Sequence, residues 1–213
     1  MTEEAKKILA EGALALGAPL DEKKLSNFGV YLDEIKKWNE KMNLTSITEE
    51  NEIVTRHFLD SLTPLSFLKG IEKVLDIGSG AGFPGIPLKI AAPAMGVTLM
   101  ESTEKKIFFL RHIIRTLQLP NAQTLFARAE DKAIISMIGG AFGCVISRAV
   151  SGIDAFLALA APYVKRNGFV IAMKGPAGEE LRKELAGRKH ELHEINIPFT
   201  DRTTSIIIFR API

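Results

Sequence analysis

The sequence of 213 residues has a single cysteine and no long apolar run. One cysteine, Cys144, excludes an internal disulfide and a cysteine-rich metal site. No apolar stretch approaches the roughly 20 residues that cross a membrane. The first residues, MTEEAKKILAEG, lack the basic start and apolar segment of a signal peptide. We therefore expect a cytoplasmic protein with no membrane partner and no metal.

The chain also has little net charge, because 27 Lys and Arg residues face 25 Asp and Glu residues. With a net charge of +2, a nucleic-acid partner requires a local basic patch. The hydrophobic fraction of 46% and the charged fraction of 24% are typical of a globular protein. The length suits one large domain or a domain with an extension.

The periodicity of the chain changes after its first third. Residues 1–70 show only helical periodicity, which predicts an N-terminal helical extension. Strands and helices alternate from Lys73 onward and predict residues 71–213 to be an α/β domain with a Rossmann-like, mostly parallel seven-stranded sheet. The last two strands, Leu192–Ile197 and Ser205–Phe209, are too close for a crossover helix and should pair antiparallel.

A glycine-rich turn follows the first predicted strand, in the segment KVLDIGSGAGFPGIPL that starts at Lys73. Four glycines fall within eight positions, at Gly78, Gly80, Gly82 and Gly85. Glycine admits positive φ and leaves no Cβ in the way of a ligand, while a helix start offers unpaired N–H groups. An ordinary βα turn needs fewer glycines, so we interpret the segment as a ligand-binding turn.

Acidic residues after three predicted strands narrow the class of ligand. Glu101 ends the second strand, where a carboxylate accepts hydrogen bonds from the ribose of NAD or of S-adenosylmethionine. Asp76 precedes the first glycine, where it would hold an ammonium group and repel a pyrophosphate. Ala129 and Glu130 follow the third strand and can meet an adenine. S-adenosylmethionine is favoured, although Gly80–Gly85 also matches the G-x-G-x-x-G of dinucleotide sites.

Four segments, in this order, resemble one known family: NLTSI (43–47), RHFLDS (56–61), LDIGSGAGFPGIPL (75–88) and ISRAV (146–150). The sequence is similar over nearly its whole length to the bacterial RsmG family, formerly GidB. The resemblance implies a class I S-adenosylmethionine-dependent methyltransferase. It further implies methylation of N7 of guanosine 527, in the 530 loop of 16S ribosomal RNA.

The resemblance also implies cofactor contacts at matching positions of this chain. These are Gly78, Phe83, Glu101, Ser102, Thr103, Ala129, Glu130 and Arg148, to which the residue patterns above add Asp76 and Gly80. Many relatives have Asp where this chain has Glu101. The longer acid keeps the carboxylate chemistry but changes its reach toward the ribose.

Guanine N7 carries a lone pair and no proton, so it attacks a sulfonium methyl without a general base. No catalytic residue is therefore assigned with certainty. The sequence also lacks the Asp/Asn-Pro-Pro-aromatic segment with which amine methyltransferases orient an NH₂ group. Cys144 stands in apolar company, which favours a buried hydrophobe over a nucleophile.

Basic residues near the strand ends are candidates for positioning the RNA: Arg56, His57, Arg148, Lys174 and Arg202. Arginine forks onto phosphate or onto guanine O6 and N7, whereas lysine acts as a point charge. For Arg56, an ion pair with Glu52 or Asp60 at helical spacing stays open. For His57, stacking on a base and packing against Asp60 are equally open.

Two other features are interpreted as structural. Trp38 is predicted to lie in the core between N-terminal helices. The basic residues of the helix predicted over Thr103–Leu117 form a solvated face: Lys105, Lys106, Arg111 and Arg115.

Two other functions stay open, a nicotinamide-dependent oxidoreductase and a ribosome-assembly factor that binds the cofactor without activity. The expected partner is 16S ribosomal RNA, naked or in a 30S particle, and the expected state is a monomer.

Overall fold

The computed structural model describes residues 1–148 and 152–213. Its strands are β1 Lys73–Ile77, β2 Gly96–Glu101, β3 Ala122–Phe126, β4 Phe142–Arg148, β5 Val164–Lys174, β6 Glu191–Asn196 and β7 Thr203–Arg210. They form one seven-stranded sheet in the order β3-β2-β1-β4-β5-β7-β6. Strands β1 to β5 pair in parallel, and β7 runs antiparallel to both of its neighbours. The predicted sheet, with its antiparallel closing pair, is confirmed.

The helices cover both faces of this sheet. They are α1 Glu3–Ala15, α2 Glu22–Met42, α3 Glu50–Ile53, α4 Asp60–Leu62, α5 Gly85–Ala91, α6 Glu104–Thr116, α7 Lys132–Ile138, α8 Ile153–Ala160 and α9 Glu179–Leu185. A π-helix, Val54–Leu59, joins α3 to α4. The short 3-10 helices are Leu65–Leu68 and Ala161–Tyr163. Within the described residues, no helix is both long and apolar enough to span a bilayer.

Sequence reasoning missed α7, α9 and the π-helix. Helices α7 and α9 have seven residues each, and α7 buries none of them. Two turns are too short for a helical period to show. The π-helix keeps the general spacing of a helix, so the same pattern predicts one plain helix there.

Alternate side chains of each central strand enter two different cores. In β1, Val74 faces a core that also contains residues of α1, α2, α5 and α6, whereas Leu75 faces one shared with α8 and α9. The same alternation separates Ile171 from Val170 in β5. The N-terminal helices thus share a core with the sheet, and the domain boundary expected near residue 70 stays a prediction.

The two tyrosines of the chain each fix a loop at the carboxyl edge of the sheet. The hydroxyl of Tyr31, on α2, donates to the carbonyl oxygen of Ala81 at 2.6 Å. The hydroxyl of Tyr163 donates to the carbonyl oxygen of Ala129 at 2.7 Å. Ala81 lies in the glycine turn after β1, and Ala129 lies in the loop after β3. Helix α2 therefore helps to shape the edge at which parallel sheets of this kind bind ligands.

The Tyr31 contact gives a first prediction. Tyr31→Phe removes the donor and leaves the buried carbonyl of Ala81 without a partner, so the free energy of unfolding should fall by about 1–3 kcal/mol. Urea denaturation measures this change. An unfolding free energy equal to that of the wild type would show that the hydroxyl does not fix the turn.

Candidate active site

The four glycines that follow β1 serve two purposes. Gly78 and Gly80 have φ values of +71° and +59°, and a Cβ on either would meet no atom closer than 3.9 Å. A Cβ on Gly82 or Gly85 would overlap neighbouring side chains. Gly78 and Gly80 therefore leave room for a ligand, whereas the other two permit close packing. The G-x-G-x-x-G match at Gly80–Gly85 therefore ends on Gly85, a glycine that is required for packing.

Glu101, at the end of β2, holds two loops with its carboxylate. Its Oε2 accepts from the Gly80 N–H at 2.9 Å, and its Oε1 accepts from the N–H groups of Ser102 and Thr103 at 2.9 and 2.8 Å. The residue is buried, while the side chains of Ser102 and Thr103 are exposed. An ionised carboxylate has about four acceptor positions, so a ribose hydroxyl would take the remaining one or replace the Gly80 contact.

Asp76 is fully buried beneath the same turn. Its Oδ2 accepts from the Gly85 N–H at 3.0 Å, and its Oδ1 has no hydrogen-bond partner among the described residues. Burial raises the pKa of Asp76 to about 7, and the hydrogen bond from the Gly85 N–H opposes that shift only in part. A buried unpaired oxygen is costly unless a donor reaches it. An ammonium group would be such a donor, so Asp76 fits a ligand with an amino-acid end.

The loop after β3 contains the remaining cofactor candidates. Ala129 is buried and its carbonyl is bound by Tyr163, whereas Glu130 is exposed and lies 3.7 Å from Arg128. Because β1, β2 and β3 are parallel neighbours, the loops that follow them lie side by side at one edge. The structure therefore brings the predicted cofactor residues to adjacent loops.

A polar network surrounds Arg148 at the end of β4. Its Nη1 donates to Asp60 Oδ2 at 3.1 Å and to the carbonyl oxygen of Arg56 at 3.2 Å. Its guanidinium lies 4.8 Å from the centre of the Phe83 ring. Asp60 Oδ1 accepts in addition from the hydroxyl of Thr204, on β7. The segment around the π-helix, the glycine turn, β4 and β7 thus meet at one guanidinium.

His57 is a further partner of Arg148. Its Nδ1 lies 3.2 Å from Arg148 Nη2, and its Nε2 lies 2.7 Å from the hydroxyl oxygen of Thr45. Nδ1 also lies 3.1 Å from the carbonyl oxygen of Arg56, so this nitrogen faces a donor and an acceptor at once. Burial and the charge of Arg148 lower the pKa of His57 to about 3. The ring stacks on Phe83 with 4.5 Å between centroids, so His57 belongs to the protein network.

A cavity of about 470 Å³ lies beside this network, at the carboxyl ends of β4 and β5. Two acids, Asp60 and Asp201, are part of its lining. The lining also contains every residue predicted to position RNA: Arg56, His57, Arg148, Lys174 and Arg202. Residues far apart in sequence therefore form one basic cavity.

The cations of this cavity differ in how firmly they are held. Arg56 pairs with Glu52 at 3.1 Å on the surface, which is one of the alternatives the sequence left open. Lys174 pairs with Glu184 at 2.9 Å, and both side chains are largely buried. Arg202 is exposed in the turn between β6 and β7. Of these three cations, Arg202 can therefore turn toward an anionic ligand with the smallest loss of existing contacts.

Comparison with known proteins identifies the family. Residues 24–204 match the family described as rRNA small subunit methyltransferase G, or GidB. The chain belongs to this family. It is similar to ribosomal RNA small subunit methyltransferase G of Acetivibrio thermocellus, with 38% identity over 96% of this chain and 88% of that protein. The relative of the same name from Geotalea uraniireducens is 40% identical over 98% of this chain and 97% of its own.

Solved structures share the fold of this family member. A methyltransferase from Geobacter sulfurreducens has a TM-score of 0.59 at 14% identity and covers 87% of this chain and 97% of its own. A SAM dependent methyltransferase from Aquifex aeolicus has a TM-score of 0.56 at 15% identity, with 83% and 97% covered. The Rossmann-like methyltransferase fold is confirmed, and the family decides against a nicotinamide-dependent oxidoreductase.

Two features singled out in the sequence remain to be placed. Ala149 and Val150 of the ISRAV segment lie outside the described residues. Cys144 is fully buried in β4, and burial raises the pKa of its thiol well above the usual value. The prediction that it is a buried hydrophobe is confirmed.

Sequence reasoning missed the partners of Arg148 in this methyltransferase. His57 and Asp60 are three residues apart in RHFLDS, a spacing that puts both on one side of a helix, and this is the signal that was present. The partners Thr45 and Thr204 are 12 residues from His57 and 144 residues from Asp60, respectively. No local pattern indicates contacts of that range.

Asp76 predicts a pH dependence of stability. Because folding raises its pKa from 3.8 to about 7, its contribution is fully present below pH 3.8 and is lost as the pH rises through 7. Between pH 4 and pH 8, the free energy of unfolding should fall on the order of 4 kcal/mol further in the wild type than in Asp76→Asn. His57 titrates equally in both proteins. Urea unfolding of both proteins across this pH range tests the prediction. A difference in unfolding free energy between them that does not change with pH would contradict it.

The Arg148 network predicts that replacing two residues of the same cavity by alanine lowers the free energy of unfolding by unequal amounts. Asp60→Ala leaves a largely buried guanidinium without its carboxylate and should lower the free energy of unfolding by about 3 kcal/mol. Arg56→Ala breaks only an exposed pair and should cost less than about 1 kcal/mol. Urea denaturation of both variants decides the matter, because equal losses would mean that Asp60 has no special role.

Proposed function

We propose that this methyltransferase modifies N7 of guanosine 527 in the 530 loop of 16S ribosomal RNA, with S-adenosylmethionine as the methyl donor. One observation carries the proposal. Arg148 lines the basic cavity and at the same time lies over Phe83 of the glycine turn. A cavity suited to RNA therefore adjoins the loops suited to the donor. Membership of the small-subunit rRNA methyltransferase family supports the same substrate class.

The residues of the donor loops have distinct tasks in this proposal. S-adenosylmethionine supplies an electrophilic methyl group on its sulfonium when it is bound. Gly78 and Gly80 leave space for it beside the backbone, and the unpaired oxygen of Asp76 accepts from its ammonium group. Glu101 accepts from the ribose while it retains the N–H groups of the following residues. The loop at Glu130 borders the adenine.

The chemistry of guanine N7 fits what the cavity contains. N7 has a lone pair and no proton to lose, so the protein need only hold the base in line. Neither His57 nor Cys144 is suited to act as a base or nucleophile, because the first donates and accepts within the protein and the second is buried. A cation aimed at O6 would oppose the positive charge that develops on the ring. The cations therefore position the RNA backbone.

The molecular setting follows from the substrate. A ribosomal substrate implies action in the cytoplasm, either on naked RNA or on a 30S particle. We propose that the enzyme acts as a monomer.

Methyl transfer is the direct test. The protein, labelled S-adenosylmethionine and 16S RNA lacking the mark should yield label at N7 of guanosine 527, located by chemical cleavage at N7-methylguanosine. Arg148→Ala should reduce the rate about 100-fold, because the network that positions the substrate is lost. Arg166→Ala, an exposed arginine of β5, is the control and should leave the rate unchanged.

Two results would contradict the proposal. Label at another atom or nucleotide would overturn the assigned target. Binding of S-adenosylhomocysteine without any methyl transfer to naked RNA or to 30S particles would favour an inactive assembly factor.

A further inference from the structure

A second pocket, of about 500 Å³, lies between the end of α2 and the first turns of α6. Three lysines, two aromatic rings and a histidine line it: Lys37, Lys41, Lys105, Trp38, Phe108 and His112. Phe108 is 52% exposed, and no acid belongs to the described lining. The pocket thus combines an open aromatic face with ammonium groups.

Glu34 holds the Trp38 and His112 rings of this pocket in place. The Nε1–H of Trp38 and the Nε2–H of His112 both donate to Glu34 Oε2, at 3.0 and 2.6 Å. Burial alone would raise the pKa of Glu34, but the hydrogen bonds from His112 and Trp38 keep that pKa below its usual value. The carboxylate is therefore ionised and already satisfied. Trp38 was predicted to lie in the core between N-terminal helices; instead it is partly buried, packs on Phe109 of α6, and in part reaches the pocket.

The lysines are available to an anion. Lys37 lies 3.6 Å from Glu34 on the surface. Neither Lys41 nor Lys105 has a carboxylate within 4.0 Å in the described part of the chain, and both are exposed. Aromatic faces on which bases stack, together with cations that track phosphates, are the elements of single-stranded nucleic-acid sites.

The pocket adjoins both parts of the candidate active site. Helix α6 starts directly after Glu101–Thr103, at the edge where the donor loops lie. Met42 lines this pocket and Ile47 lines the basic cavity, so at most about 18 Å of chain separates them. Thr45, between them, bonds to His57. One RNA strand can therefore touch both cavities.

We propose that this pocket binds a single-stranded nucleotide next to the target guanosine. Its base stacks on Phe108, and its neighbouring phosphates lie among Lys37, Lys41 and Lys105. The inference rests on the proposed function for the class of ligand, and it adds an RNA contact outside the basic cavity. The basic side of α6 that the sequence indicates as a solvated face is then partly an RNA surface.

Fluorescence anisotropy with a labelled hairpin RNA carrying the 530-loop sequence tests the proposal. Phe108→Leu keeps the apolar volume but removes the stacking face, so the Kd should rise about tenfold. The triple variant Lys37→Ala/Lys41→Ala/Lys105→Ala should reduce the slope of log K against log salt by about 2. The control Lys7→Ala/Lys23→Ala/Lys183→Ala makes the same charge change at exposed sites elsewhere and should leave Kd and slope nearly unchanged. All variants should retain their affinity for S-adenosylhomocysteine.

The possible failures are distinguishable. If the wild type binds and methylates RNA while the pocket variants bind it equally well, the inference fails and the proposed function stands. If the wild type does not bind the hairpin but methylates 30S particles, the inference fails and the proposed function stands. If it neither binds the hairpin nor methylates naked RNA or 30S particles, both fail. If the two triple variants lose equal affinity, or if only binding to the 30S particle is weakened, the pocket is not an RNA site. A matching loss of S-adenosylhomocysteine affinity would overturn it as well, because the donor site would then be the one altered.

Discussion

The ion pair between Arg148 and Asp60 is the contact on which the rest of the site depends. A guanidinium held largely away from water needs acceptors for its N–H groups, and leaving it without them is costly. Here the acceptors are the Asp60 carboxylate and the Arg56 carbonyl, and the His57 ring lies beside them; all three belong to the π-helix or to the residue after it. Insertions of π-helix are frequent at functional sites. This one supplies acceptors that a strand end cannot supply for itself.

The same ion pair relates the N-terminal helices to the chemistry. Arg148 and His57 both lie against Phe83, so the glycine turn is held on one side by His57, from the helices that precede β1, together with Arg148 of β4. Tyr31 holds it on another side through Ala81. The helical extension is therefore part of the site's support, which gives a physical reason for NLTSI and RHFLDS to accompany the glycine motif in one sequence.

The sequence predicted the sheet because its signals are local. Buried strands of β-branched residues, glycines before a helix and acids at strand ends can each be identified within a few positions. It could also indicate the cations of the basic cavity, since each follows a strand or lies in a recognisable segment. The separate tasks of the four glycines could not be predicted, because they depend on what lies beside each Cα.

Contacts between distant segments were beyond the same reasoning. The hydroxyl of Thr204 reaches Asp60 across most of the chain, and nothing near either residue indicates it. Lys41 and Lys105 form one basic surface only because α2 and α6 pack together. On a single helix, each resembles an ordinary solvated charge, and Trp38 beside them resembles ordinary core.

A double-mutant cycle on methyl transfer tests the central claim, that Asp60 acts on the substrate through Arg148. The values of kcat/KM would be compared for the wild type, Asp60→Ala, Arg148→Ala and the double variant. If Asp60 works by positioning Arg148, the double variant should be no slower than Arg148→Ala alone. Losses that add in free energy would show that the two residues act independently and would contradict this account.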